Sequence, residues 1–154
     1  MEKKKPLKRH KALQALSRQH HFGLLFSWKL RKGFNKNIEI ERLSEYAKWF
    51  FQHEIKPHFS DEEKYVFPIL GKDNVLIERA LKEHRRIKRL FNDSRNPDKS
   101  LSRLEEELDA HIRFEERILF NEIQKVATEE QLEKIEEIHL HLGKTPDYHD
   151  PFWE

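Results

Sequence analysis

The stretch His58-Phe-Ser-Asp-Glu62-Glu63-Lys64-Tyr-Val-Phe67 decides how this chain folds, because it returns later as His111-Ile-Arg-Phe-Glu115-Glu116-Arg117-Ile-Leu-Phe120. Both copies keep a histidine and a glutamate four apart, then a second glutamate, a basic residue and a closing phenylalanine. Residues four apart lie one turn above each other on one helix face, so each copy presents an imidazole and a carboxylate to one point. One such pair alone is ordinarily exposed and worth roughly a few tenths of a kcal/mol. Two copies imply two helices turned toward a common centre.

Apolar periodicity around the phrases predicts four long helices. Leu13, Leu16, Leu24 and Trp28 space the first from about Lys11 to Lys32, closed by Gly33, Asn35 and Asn37. Glu39 to Lys56 carries Leu43, Tyr46, Ala47, Phe50 and Phe51 into the first phrase, and Pro57 is expected to kink or restart the helix before it ends near Gly71. A third helix runs from about Asn74 to Phe91. After the turn residues that follow Asn92, Ser100 is expected to cap the fourth, which carries the second phrase to about Val126. Thr128-Glu-Glu-Gln131 is a capping box opening a short fifth helix, stopped by Gly143 and Pro146.

The expected fold is therefore all-α: an up-down-up-down four-helix bundle over residues 11–126. Residues 127–154 would add a short C-terminal helix and an irregular tail, with Phe152 and Trp153 packing on the bundle. Residues 1–10 are expected to form a basic mobile tail. A chain of 154 residues has one-domain length, and 11 Phe with 3 Trp supply a narrow core despite 36% hydrophobic content.

Composition removes several function classes. Without cysteine, thiolate ligands, zinc knuckles and iron–sulfur clusters are excluded, so any metal must be held by histidine and carboxylate. Lys+Arg 30 against Asp+Glu 28 gives no global attraction to nucleic acid or membrane. The run Lys82, Arg85, Arg86, Lys88, Arg89 shares its helix with acidic residues and lacks interleaved aromatics, so it reads as a solvated face. No apolar stretch has the length of a signal peptide or a spanning helix, and a cytoplasmic location is the expectation.

Two further helices offer an imidazole at mid-length: His20-His21 on the first and His84 on the third. Adjacent histidines point about 100° apart, so one of His20 and His21 serves a shared centre. Leu13 and Leu16 favour His20, whereas Leu24 and Trp28 favour His21, and both stay candidates. With His58, Glu62, His84, His111 and Glu115, one of the two makes a two-metal shell of four imidazoles and two carboxylates. Glu63 and Glu116, turned about 100° from that face, read as solvated or as supports behind the ligands. His10, His53, His139, His141 and His149 read as surface residues.

The order His, His-x-x-x-Glu, His, His-x-x-x-Glu over residues 11–126, with Phe67-Pro68 closing the first phrase, resembles the hemerythrin-like HHE cation-binding domain family, in its bacterial branch. Ferritin-like bundles fit less well, since they place the carboxylate first in Glu-x-x-His. The resemblance implies two non-haem iron ions, with zinc or manganese as alternatives, and Glu62 and Glu115 as bridging carboxylates. It also implies a small diatomic ligand or peroxide as partner: a protein that binds or senses oxygen, peroxide or nitric oxide, or that holds iron.

Two departures from the oxygen-carrying members matter. Lys88 stands where they place a second helix-three histidine, and Glu115 follows His111 by four where they use Asp at five. Fewer imidazoles leave more exchangeable positions, which favours redox reaction or sensing over reversible oxygen carriage. Glu54, one turn before His58, is a candidate substitute ligand. An enzyme consuming peroxide or nitric oxide and a metal-free helical interaction module are the competing readings.

Overall fold

A computed structural model describes residues 8–140 and 145–154. Among these residues the regular structure is all helix, without a strand, and no helix is long and apolar enough to cross a membrane. Five helical stretches follow in order: α1 (Lys11–Asn35), α2 (40–69), α3 (Val75–Phe91), α4 (97–126) and α5 (Glu129–His139).

The ends of these helices show why they start and stop. His10 caps α1, its Nδ1 accepting from the Ala12 N–H at 3.0 Å. Gly33 does not close α1 as the sequence suggested. It lies buried inside the helix, where a Cβ would meet Leu43 Cδ2 at 2.5 Å and the Phe152 ring at 3.0 Å. The helix ends at Asn35 and the turn falls at Asn37, both named from the sequence, and the Asn37 φ of 55° is left-handed. Asn74 caps α3 by accepting from the Leu76 N–H at 2.8 Å. Thr128 and Gln131 form the expected capping box of α5. That helix ends at His139, and Gly143, expected to stop it, lies outside the described residues.

Ser100 is not the cap of α4. The helix begins at Pro97, whose missing N–H costs nothing in a first turn, and the Ser100 hydroxyl bonds the Asp93 carboxylate. At Pro57 the α-helical run restarts, as expected, without ending the helical stretch α2. A π turn over Phe51–Ile55 lies directly ahead of Pro57, with the Lys56 N–H reaching the Phe51 carbonyl, and this wider turn accommodates the proline ring.

The core falls into two apolar clusters. One gathers Phe26, Leu30, Leu43, Phe50, Phe91 and Leu104, the other Leu13, Leu16, Phe67, Ile77, Phe120 and Ile123. On α1 and α3 the change from one cluster to the other comes at the buried His20 and His84, on α2 and α4 it comes just after the buried His58 and His111, and successive helices run through the clusters in alternating order. A polar layer thus divides the core at mid-height.

Both ends of the described chain are tied to this core. Arg9 donates to the Glu116 carbonyl at 2.6 Å and to Asn121 Oδ1 at 3.2 Å, so residues 8–10 of the expected mobile tail are anchored. Residues 1–7 lie outside the described residues. Phe152 is buried as expected, and Arg42 holds Asp150 through two hydrogen bonds of 2.9 and 2.7 Å.

Candidate metal centre

Each phrase ends an α-helical run at its glutamate and continues as a π turn, Glu62–Val66 in α2 and Glu115–Leu119 in α4. The sequence repeat is therefore also a repeat of local structure, and π turns concentrate where side chains must be re-aimed. Their first residues, Glu62 and Glu115, are fully buried, together with His20, His58, His84 and His111. All four long helices contribute to the layer.

Two groups of donors converge. His20, His58, Glu62 and Glu115 bring one ligand atom each within 4.8 Å of one another, and so do Glu62, His84, His111 and Glu115. The carboxylates belong to both groups. Glu62 Oε1 lies 3.1 Å from His58 Nε2 and 3.3 Å from His84 Nε2. Glu115 Oε1 lies 3.2 Å from His20 Nε2 and 2.9 Å from His111 Nε2. His58, His84 and His111 Nε2, both Glu62 oxygens and Glu115 Oε2 are buried without a hydrogen-bond partner. Buried polar atoms are nearly always satisfied, so this inward-facing set has the chemistry of a cation shell.

The outward nitrogens are all held. His20 Nδ1 meets Glu116 at 2.7 Å, His84 Nδ1 meets Glu63 at 2.7 Å, His111 Nδ1 meets Glu83 at 2.7 Å and His58 Nδ1 meets Gln19 at 2.5 Å. Hydrogen bonding at Nδ1 leaves the Nε2 lone pair for a metal and fixes the ring plane. The second glutamate of each phrase thus supports the imidazole of another helix, Glu63 serving α3 and Glu116 serving α1. The closing phenylalanines follow the same rule: Phe120 stacks on His20 at 5.2 Å, and Phe67 packs on His84 at 5.2 Å. Phe59 covers His84 more closely still, with ring centroids 3.7 Å apart and planes within 3°.

Electrostatics separate the two carboxylates. Burial raises the Glu62 carboxyl well above its ordinary value, and the Glu115 charge beside it pushes the same way. Burial works against charge on Glu115 too, but the cationic His111 outweighs it and holds Glu115 well below its usual range. His111 is raised to about 9, because Glu115 and Glu83 overcome its desolvation. Burial holds His58 well below the ordinary value, and nearby His20 adds to this. Like charges this close do not both ionise without a cation between them.

A family model for the hemerythrin HHE cation-binding domain matches residues 7–98. The chain belongs to this family. Among curated proteins and among solved structures, none matches it. The hemerythrin match spans His20, His58, Glu62 and His84 but stops before the second phrase, and the fold is what brings His111 and Glu115 to the same place. A hemerythrin HHE domain binds metal cations, and the residues present here fit one.

Within this hemerythrin domain the candidates sort by geometry. His20 lies in the donor group, whereas His21 is exposed and outside both groups. Lys88 is not turned toward the donors. Its Nζ lies 3.7 Å from Glu63, behind His84. Glu54 is in neither donor group but lines a cavity of about 10 Å³ shared with His20, His58, His111 and Glu115. His139, read as a surface residue, has a side chain only 3% exposed, because α5 packs over the π turn of α2; its Nδ1 donates to the Ile135 carbonyl at 2.7 Å. Sequence reasoning missed Gln19 and Glu83, each immediately before a ligand-group histidine, although that shared placement was the available signal.

Proposed function

We propose that this hemerythrin-family protein holds two non-haem iron ions, one between His20 and His58 and one between His84 and His111, with Glu62 and Glu115 serving both. The reading includes an up-down-up-down bundle, supported by the alternating order in which α1 to α4 cross the two core clusters. The observation that carries it is the sharing of two carboxylates between two donor groups. Bound iron would supply redox chemistry and open positions for a small ligand.

The chain's own residues orient and enclose. The Nδ1 partners fix four imidazole planes, and Phe59, Phe67 and Phe120 keep bulk water from the rings. The cavity of about 10 Å³ has room for one water-sized molecule, which suits oxygen, peroxide or nitric oxide as the sensed or bound species. The same iron could instead be held for its own sake.

One residue favours a second reading, turnover of peroxide or nitric oxide at the same centre. Glu54 is an ionisable group lining that cavity, placed to pass a proton inward. Consumption of peroxide or nitric oxide in proportion to iron content would establish this reading, and the absence of both in fully loaded protein would leave binding or sensing.

Elemental analysis after anaerobic loading with ferrous iron is the direct test. About two irons per chain are expected, falling to about one in His84→Ala and to none in Glu62→Ala, because structural ions need their full donor set. One ion or none in the unaltered protein would overturn the binuclear reading.

A further inference from the structure

The centre has an internal two-fold relation. Glu83-His84 on α3 plays the part of Gln19-His20 on α1: the histidine enters a donor group, and the residue before it holds the Nδ1 of a phrase histidine, His111 in one case and His58 in the other. The phrases are equally matched through Glu63 and Glu116. Gln19 breaks the relation, being a neutral amide where its counterpart is a carboxylate.

The surrounding charges agree with this difference. Each carboxylate behind an imidazole is backed by a cation: Glu83 by Arg79 at 2.9 Å, Glu63 by Lys88 at 3.7 Å and Glu116 by Arg9 at 3.4 Å. Four residues before Gln19, where Arg79 stands relative to Glu83, the chain has Ala15. A carboxylate accepting from Nδ1–H draws the proton outward and makes the imidazole a stronger donor to a cation, and an amide oxygen does this less. The His84/His111 position therefore has two carboxylate-supported imidazoles, and the His20/His58 position has one.

Access is unequal in the same sense. The small cavity is lined by Gln19, Glu54, His20 and His58 and reaches His111 of the other position, but not His84, which lies beneath Phe59 and Phe67. Gln19, Glu54 and His58 also line a groove of about 640 Å³ between α1, α2 and the C-terminal tail, and of these histidines only His58 borders it. Solvent and solutes thus approach the centre from the His58 side.

We infer that the two metal positions are inequivalent and that Gln19 makes the ion between His20 and His58 the exchangeable one, while the ion between His84 and His111 is retained. This rests on the binuclear reading above and adds a division of labour within it. Gln19 acts as a positioning residue through His58.

The test is ferrous release from the loaded 154-residue chain into excess chromophoric ferrous chelator under anaerobic conditions, with starting iron per chain measured in parallel. The unaltered protein should lose its ions in two phases differing by about tenfold or more, the usual effect of a support behind a metal-binding imidazole. Gln19→Glu should slow the fast phase toward the slow one, and Glu83→Gln should speed the slow phase about tenfold. If Gln19→Glu does not fold, as judged by its helical circular dichroism, Glu83→Gln decides: acceleration upholds the inference and an unchanged slow phase overturns it. Two ions leaving in one phase, or a fast phase that a folded Gln19→Glu does not slow, would overturn the inference and leave the binuclear reading standing. Uptake of fewer than two ions would overturn both.

Discussion

Glu62 keeps its proton far above the usual carboxylate range, and His111 keeps one up to about 9, so ions entering this layer must expel protons. Calorimetric loading with zinc at neutral pH, in buffers of different ionisation heat, should show a net release of protons on binding. No proton release would show that the layer is already ionised. The sign for the protein without metal is the opposite of that for binding. The raised His111 stabilises the fold fully below its unfolded value of 6.5, and that contribution is lost as pH rises through about 9. Thermal melting should therefore show the gap between loaded and unloaded protein widening over this interval. Lys88 invites a separate check at this scale. It reads from sequence as a lost ligand, yet it backs Glu63 from a half-exposed position. Lys88→Ala should leave metal content unchanged and alter stability by less than about 1 kcal/mol.

Helical periodicity was enough to place four of the donors, because His58 with Glu62 and His111 with Glu115 share a face at any regular α-helical spacing. It could not choose between His20 and His21. Of its two downstream guides to His21, Trp28 is 44% exposed and Leu24 only partly buried, so they do not mark the face that enters the core. Nor could it give Glu63 and Glu116 their partners, since both lie in π turns whose wider pitch departs from α-helical spacing, and those partners come from other helices. Helix ends were legible where one side chain caps, as at Asn74 and Thr128, and misread where position outweighs residue type, as at Pro97 and Gly33. Thr128→Ala removes half of a capping box and should cost about 1 kcal/mol in denaturant unfolding without changing metal content. A coupled loss of metal would mean that α5 supports the centre more directly than its place outside the donor groups implies.

Across the whole molecule, the C-terminal tail completes one of the two clusters, with Phe152 filling the space beside Gly33 and Leu43. Phe152→Ala should cost about 3–5 kcal/mol of unfolding free energy, the range for a buried aromatic, while the donor layer stays able to load. The crossed supports have a wider consequence. The hairpin of α1 and α2 contains His20, His58 and Glu62, yet the carboxylate shared with it and the one that steadies His20 come from α4. A chain emerging from the ribosome consequently has no complete cation shell until residue 116 is free to fold back, which makes metal capture a late event in biosynthesis and confines it to chains that have finished assembling.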